Sequence, residues 1–264
     1  PSMGKTTFMT NIAAPPAMNG HRVLIFSLEQ SALQLYTRMA CALARVEMRF
    51  VREPDAFDSD TIAKVSAAVA MLRSSALIID DTPGLTRQQM VIRAKREHMR
   101  APLAMILVDN LQRAAVPGKT RLDIEQGDIS RDLKDLGKSL NVAVMLLAQL
   151  NRSLEQRQNK RPILADLREA GGLEQDGDVI VMLYRDDYYA EAEGRQSEYP
   201  GTIEINVAKG RDVGTGTIFA EWHGAINLIE HMDHVPQRIL PEKPAKPDKG
   251  FGGKGKKRDV SASD

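Results

Sequence analysis

The sequence predicts an α/β domain: a mostly parallel sheet with helices on both faces, closed by a β-hairpin at its C-terminal end. Three observations carry this expectation. Short apolar runs bounded by polar residues alternate with segments of helical period. Beyond Tyr184 the pattern changes to two longer alternating runs split by a short turn. With 42% hydrophobic residues in 264, the chain is long enough to bury one sizeable core.

The apolar runs are RVLIFSLE at 22–29, ALIIDD at 76–81, LAMILVDN at 103–110, VAVMLLAQ at 142–149 and DVIVMLY at 178–184. Near-continuous apolar runs of this length read as strands buried on both faces. The segments 33–44, 60–72, 87–99 and 124–139 have helical period and supply the layers between them. An earlier helix should follow the N-terminal Gly-Lys-Thr-Thr and end near Ala14, because Pro15 and Pro16 lack an N–H donor and clash with the preceding turn. TIEINVAKG at 202–210 and GTIFAEW at 216–222, separated by a turn with Asp212 and Gly214, form the hairpin. From Pro241 the chain is rich in Pro, Gly and Lys, with seven Lys and Arg against four acids. Residues 1–240 therefore read as one domain and 241–264 as a disordered basic tail.

Composition narrows the function classes only a little. Lys and Arg total 36 against 35 Asp and Glu, so any basic surface must be local. The one cysteine, Cys41, has no intramolecular partner and lies on a helical pattern, which reads as a buried structural thiol in a reducing compartment. No run approaches the ~18 apolar residues of a membrane span, and the N-terminus lacks a secretory pattern, so a soluble, intracellular protein with no membrane contact is expected.

The chemistry begins at the first residue. Pro1-Ser2-Met3-Gly4-Lys5-Thr6-Thr7 matches the second part of the phosphate-binding loop G-x-x-x-x-G-K-[ST]. In such a loop the backbone N–H groups of Ser2 to Thr7 and the following helix N-terminus surround phosphates, Lys5 reaches the terminal phosphates, and Thr6 ligates Mg²⁺. The first Gly of the motif, with a strand before it, would lie upstream of Pro1. Asp109 ends an apolar run where a buried strand presents a carboxylate to a Mg²⁺-bound water. Asp80 and Asp81 end another run and compete for that role. Glu29 ends a third, where a carboxylate beside the nucleotide polarises the attacking water.

These motifs resemble the DnaB replicative helicase family, and the resemblance extends to about Trp222. PSMGKTTF is similar to that family's nucleotide loop, VLIFSLE to its strand ending in the catalytic glutamate, and ILVDNLQ to its metal-binding strand. LLAQLNR resembles the strand ending in a γ-phosphate-sensing glutamine, and AKGRDVGTGT resembles the arginine-finger segment. RPILADLREAGGLEQDGDVIVMLYRDDYY, at 161–189, resembles the family's DNA loop and is the most specific of the six. The resemblance implies a RecA-like P-loop NTPase core, ATP and Mg²⁺ as cofactors, a homo-hexameric ring and 5′–3′ unwinding of DNA. It selects Asp109 over Asp80 and Asp81 for the metal, Gln149 as the phosphate sensor, Lys209 and Arg211 as cations acting on a neighbouring protomer's nucleotide, and Arg168, Glu169 and Gly171 as contacts to single-stranded DNA.

Residue physics agrees with most of these roles. Lys209 and Arg211, two apart in an extended run, should face one side. Gly171 lets its backbone amide approach a phosphate, and Arg168 neutralises one, whereas Glu169 fits better as the group that orients Arg168. Aromatics make up only 5% of the chain, so binding through the DNA backbone with weak sequence preference is expected. The resemblance further implies primase and loader contacts through regions absent here, and a bacterial or phage-infected cytoplasm. Asn110, Ala148 and Ala170 depart from the family pattern without removing a charged group. Two other readings compete: a RecA-type or clock-type ATPase on the same core, and a non-catalytic interaction module.

Overall fold

Strand β1 (Arg22–Ser27) organises the first half of the molecule because its alternating side chains feed two separate apolar layers. Val23 and Ile25 join one core cluster with Met9, Ala13, Leu35 and Leu72. Leu24 and Phe26 join the other, with Met90, Ile106, Ile129 and Leu133. The first layer comes from helices α1 (Lys5–Met18), α2 (Ala32–Ala44) and α3 (Ser59–Ser74), the second from α4 (Arg87–Arg100) and α5 (Leu122–Leu140). The computed structural model describes residues 3–51, 53, 58–114, 122–167, 172–234 and 236–239. Ser2, Arg168, Glu169, Gly171 and the tail 241–264 lie outside the described residues.

Around β1 run β2 (Leu77–Asp80), β3 (Leu103–Asp109) and β4 (Ala143–Leu146), all parallel, in the order β2-β1-β3-β4. The helices expected at 33–44, 60–72, 87–99 and 124–139 and the first four strands form within a few residues of the positions read from the sequence. Local chemistry sets the helix starts. Ser31 with Gln34 and Thr86 with Gln89 form capping boxes on α2 and α4, and Asp58 accepts from the Thr61 N–H at 2.7 Å on α3.

The fifth apolar run departs from expectation. Strand β5 (Val179–Tyr184) pairs antiparallel with β6 (Thr202–Gly210), which continues to β7 (Gly216–His223) and β8 (Leu228–His231) as a separate four-stranded sheet. The expected hairpin is thus the middle of a larger antiparallel sheet. The fourth strand, LIEH, is too short and polar to stand out in the sequence. Two short helices, α6 (Leu173–Asp176) and α7 (Asp186–Glu193), flank β5.

Helix α1 also departs from expectation, running to Met18 with both prolines inside. Pro15 stands on the exposed side, while Ala13, Ala14 and Ala17 pack into the core. The Asn19 N–H donates to the Pro15 and Pro16 carbonyls at 3.1 Å, and the His21 N–H closes on Pro16 at 3.0 Å. Asn11 ties the helix to β8, donating to the Asn227 carbonyl at 2.9 Å and accepting from the Ile229 N–H at 3.0 Å. Tertiary burial offsets the two missing donors.

Candidate nucleotide site

Gly4 makes the switch from loop to helix. Its φ of +89° lies in the left-handed region, and its carbonyl accepts the first helical bond from Phe8 at 2.8 Å. A Cβ at this position would stand 2.6 Å from Cζ3 of Trp222, so both the backbone angle and the close approach require glycine. Lys5 begins α1 and sends its Nζ to the Ala148 carbonyl, 3.1 Å away, just past the end of β4. Thr6 donates from Oγ1 to Oδ2 of Asp109 at 2.8 Å. Thr7 is buried behind them, and Met3 stands at the mouth of an adjoining cavity.

The parallel strands bring the acids to the same end. Ser27 and Asp109 are register neighbours at the last residues of β1 and β3, and the Leu28 N–H donates to the Asp109 carbonyl at 2.6 Å. Two residues beyond β1, Glu29 is exposed and accepts a hydrogen bond from Nδ2 of Asn110. Asn110 is itself buried, and its Oδ1 has no hydrogen-bond partner among the described residues.

Burial lowers the Lys5 amine below its ordinary range, an effect the charges of Asp109 and Glu29 oppose. Burial raises the Asp109 carboxyl, with the Thr6 hydroxyl lowering it, Glu29 raising it, and Lys5 and Arg38 lowering it. A charged lysine and a carboxylate held this deep act through a weakly screening medium, which strengthens their pull on a phosphate or a metal.

The donor set fits Mg²⁺. Thr6 Oγ1 and Asp109 Oδ2 supply one hydroxyl and one carboxylate, and a Mg²⁺ that keeps several waters needs little more from protein. Among the described residues there is no group of three or more His, Cys, Asp or Glu placed to hold a metal, so no competing all-protein cage arises there. The rival acids are engaged elsewhere. Asp80 pairs with Arg93 at 2.7 Å and accepts from the Thr82 hydroxyl, and Asp81 accepts from the Ala32 N–H.

Gln149 lies three residues beyond the end of β4, and its side chain is exposed. Its backbone forms a reciprocal pair with the Gln112 amide, at 3.1 and 3.2 Å. That pair holds the Gln149 segment beside the end of β3. Lys209 and Arg211 are at a different place. Lys209 donates to the Glu174 carbonyl, and Arg211, one residue past β6, reaches the Gln175 carbonyl at 3.1 Å and Asp178 at 3.1 Å. The two cations thus face one side, as the two-residue spacing requires, and their bonds run to the α6 region and not to Lys5, Thr6, Asp109 or Glu29.

Two features were not found from the sequence. Arg38 of α2 bonds Gln30 at 3.0 Å and Asn227 at 2.6 Å, and its charge acts on Asp109. A basic residue on the half-buried side of a helix was the available signal. Trp222, the single tryptophan, lies against Gly4 and carries the Arg185 guanidinium 4.2 Å above its ring. Its position was invisible without the pairing of β7.

A glycine-switched phosphate loop, a lysine, a hydroxyl–aspartate pair and a glutamate at the ends of parallel strands define a RecA-like P-loop nucleotide-binding domain. Residues 1–231 match the model of the DnaB-like helicase C terminal domain, and the chain belongs to that family. It is 38% identical over 240 residues to the replicative DNA helicase DnaC of Bacillus subtilis (strain 168), covering 88% of this chain and 52% of that protein. It is 39% identical over 242 residues to the replicative DNA helicase DnaB of Geobacillus stearothermophilus, covering 89% and 52%. A DnaB-like replicative helicase, solved together with its interactions with primase, superposes with a TM-score of 0.83 at 32% identity, covering 88% of this chain and 56% of that one. The chain spans about half the length of the curated relatives it matches.

Proposed function

We propose that this domain is the motor of a replicative DNA helicase, hydrolysing ATP with Mg²⁺ to move along single-stranded DNA as a homo-hexameric ring in the cytoplasm. The hydrogen bond between Thr6 and Asp109 beside Lys5 carries the reading, because it joins the loop and the metal-binding strand at one point. Backbone amides after Gly4 receive the phosphates, and the Lys5 amine exchanges its Ala148 carbonyl for a phosphate oxygen. Mg²⁺ bound through Thr6 and Asp109 would neutralise charge on the phosphates. Glu29 orients a water and accepts its proton, and the Asn110 amide positions Glu29.

Lys209 and Arg211 act on the nucleotide of the next protomer, where they stabilise charge gathering on the transferred phosphate. Gln149 reports the presence of that phosphate. Arg168, Glu169 and Gly171 contact successive DNA phosphates, which leaves base sequence largely unread. Primase and a loader are the partners proposed for the full-length protein, the first because a similar DnaB-like replicative helicase is described with its interactions with primase.

The test is ATP turnover together with binding of a fluorescent ATP analogue. Lys5→Ala should lose both turnover and binding. Glu29→Gln should bind normally and lose turnover by about a hundredfold or more, because the shape stays and the base is gone. Unchanged turnover in either variant would remove the site assignment.

A further inference from the structure

The antiparallel sheet reaches the phosphate loop through the ring of Trp222. This residue pairs with Ile229 of β8, and its N–H donates to the Gly201 carbonyl at 2.9 Å, so its backbone is fixed. The half-buried indole stands between two glycines. Its benzene edge faces Gly4, where a Cβ would lie 2.6 Å from Cζ3 and 2.8 Å from Cη2. Its pyrrole edge faces Gly224, where a Cβ would lie 2.7 Å from Nε1 and 3.2 Å from Cε2. The Arg185 guanidinium, 4.2 Å above the ring, holds it from a third direction.

The ring supplies a restraint that Gly4 itself lacks. A glycine reaches the positive φ of this loop easily, but for the same reason it resists little when the loop shifts. A flat side chain with two rotatable bonds, packed on three sides, limits that shift. Ile203 of β6, fully buried, adds a second apolar contact at Gly4, with its Cδ1 3.6 Å from the same Cβ position.

A further grip lies seven residues along, two helical turns on and so on the same side of α1. There Asn11 donates to the Asn227 carbonyl at 2.9 Å and accepts from the Ile229 N–H at 3.0 Å. Both grips belong to the segment 222–229, at the end of β7 and into β8. The β6–β7 ribbon that carries Trp222 also carries Lys209 near its far end, with Arg211 just beyond. A loop braced on Trp222 is therefore held at a fixed place relative to both cations.

We infer that Trp222 is a positioning residue of the nucleotide site, which holds the phosphate loop at Gly4 in the shape that receives phosphates. The inference rests on the proposed binding of phosphates by that loop. Loop amides bind the phosphates alike before and during reaction, so loosening them weakens nucleotide affinity and leaves the rate at saturation largely unchanged.

Calorimetry with MgADP, steady-state ATP turnover and hydrogen exchange on the same variants test it. Trp222→Ala should weaken MgADP binding by about tenfold and raise the KM for ATP similarly, with kcat within about twofold of wild type. Trp222→Phe keeps a ring at Gly4 and should recover the affinity to within about threefold. Phe219→Ala is the control. It removes the ring contact with Tyr199 on the same strand, at 4.7 Å between centroids, without touching Gly4. It should lower the melting temperature and leave affinity and KM unchanged. Without nucleotide, the amides of residues 8–10 should exchange about tenfold faster in Trp222→Ala and not in Phe219→Ala. The unaltered chain gives a measurement that needs no variant to fold: emission of its single tryptophan should change on adding MgADP, with the calorimetric midpoint. Unchanged exchange at residues 8–10 in Trp222→Ala would overturn the inference, as would a nucleotide affinity equal to wild type. Losses in Phe219→Ala that match those in Trp222→Ala would also overturn it, making the ring one more support of the sheet. So would tryptophan emission that stays constant while calorimetry shows MgADP bound. Faster exchange in Trp222→Ala, when even the wild type binds no nucleotide, would count against the proposed function and leave the brace on Gly4 standing.

Discussion

Thr6 and Asp109 are 103 positions apart and share a 2.8 Å hydrogen bond, so the chemistry of the loop depends on where single residues are set. Gly4 is the most constrained of them. Its positive φ and the ring of Trp222 each exclude a side chain. Gly4→Ala should therefore destabilise the domain by about 2 kcal/mol and weaken nucleotide binding, since the first residues of α1 would have to shift. Thermal melts and analogue titration on the same preparation measure both. Unchanged melting would show that Trp222 and the loop move aside freely. Asn110 shows the opposite case: a residue that departs from the family pattern yet bonds the proposed base, Glu29.

At the scale of elements, the antiparallel sheet is secured by buried charge. Asp186, at the start of α7, is 3% exposed. It binds Arg195 at 2.7 and 2.8 Å, the Tyr184 hydroxyl at 2.8 Å and the Glu198 N–H at 2.6 Å. Burial works against its charge, but these partners hold its carboxyl well below the ordinary carboxylate range. A depressed pKa means that this stability is fully present above the unfolded value, near pH ~4, and is lost as pH falls toward the folded value. Asp186→Asn should cost about 3 kcal/mol at pH ~7, because Arg195 loses its main partner. In urea melts the difference from wild type should shrink below about pH 4, where the unfolded chain begins to take up a proton that the folded carboxylate refuses. A gap that stayed constant with pH would show that the aspartate contributes by packing alone.

The whole molecule explains why Lys209 and Arg211 do not reach their own phosphate loop. Both are held near α6, on carbonyls of Glu174 and Gln175, and the proposed function has them act on the nucleotide of another protomer. Mixing Arg211→Ala protomers with Lys5→Ala protomers should restore part of the ATPase activity, because some junctions then pair an intact loop with an intact arginine. Purely additive loss in mixtures verified to co-assemble would place the arginine's role within one subunit. Arg168→Ala should weaken single-strand binding and make its salt dependence shallower, by about 0.7 in slope for each phosphate no longer neutralised. ATP hydrolysis without DNA should persist. An unchanged affinity and slope would move DNA binding away from this segment.

The first four strands, the hairpin strands and the α2 to α5 segments were legible in the sequence because period and caps act within a few residues. The phosphate loop was legible for the same reason, and family resemblance favours Asp109 over Asp80 and Asp81, of which Asp80 is held by Arg93 in the fold. Which strand pairs with which was not local information. DVIVMLY reads as one more buried parallel strand, yet its pairing with β6 is antiparallel and its residues line a cavity beside β4. The prolines of α1 were misleading because a helix ends where its total free energy favours ending, and three buried alanines with a tether through Asn11 outweigh two lost donors. Arg38 and Trp222 reach the site from α2 and β7 across large sequence distances. Their roles follow from packing, which no run of neighbouring residues encodes.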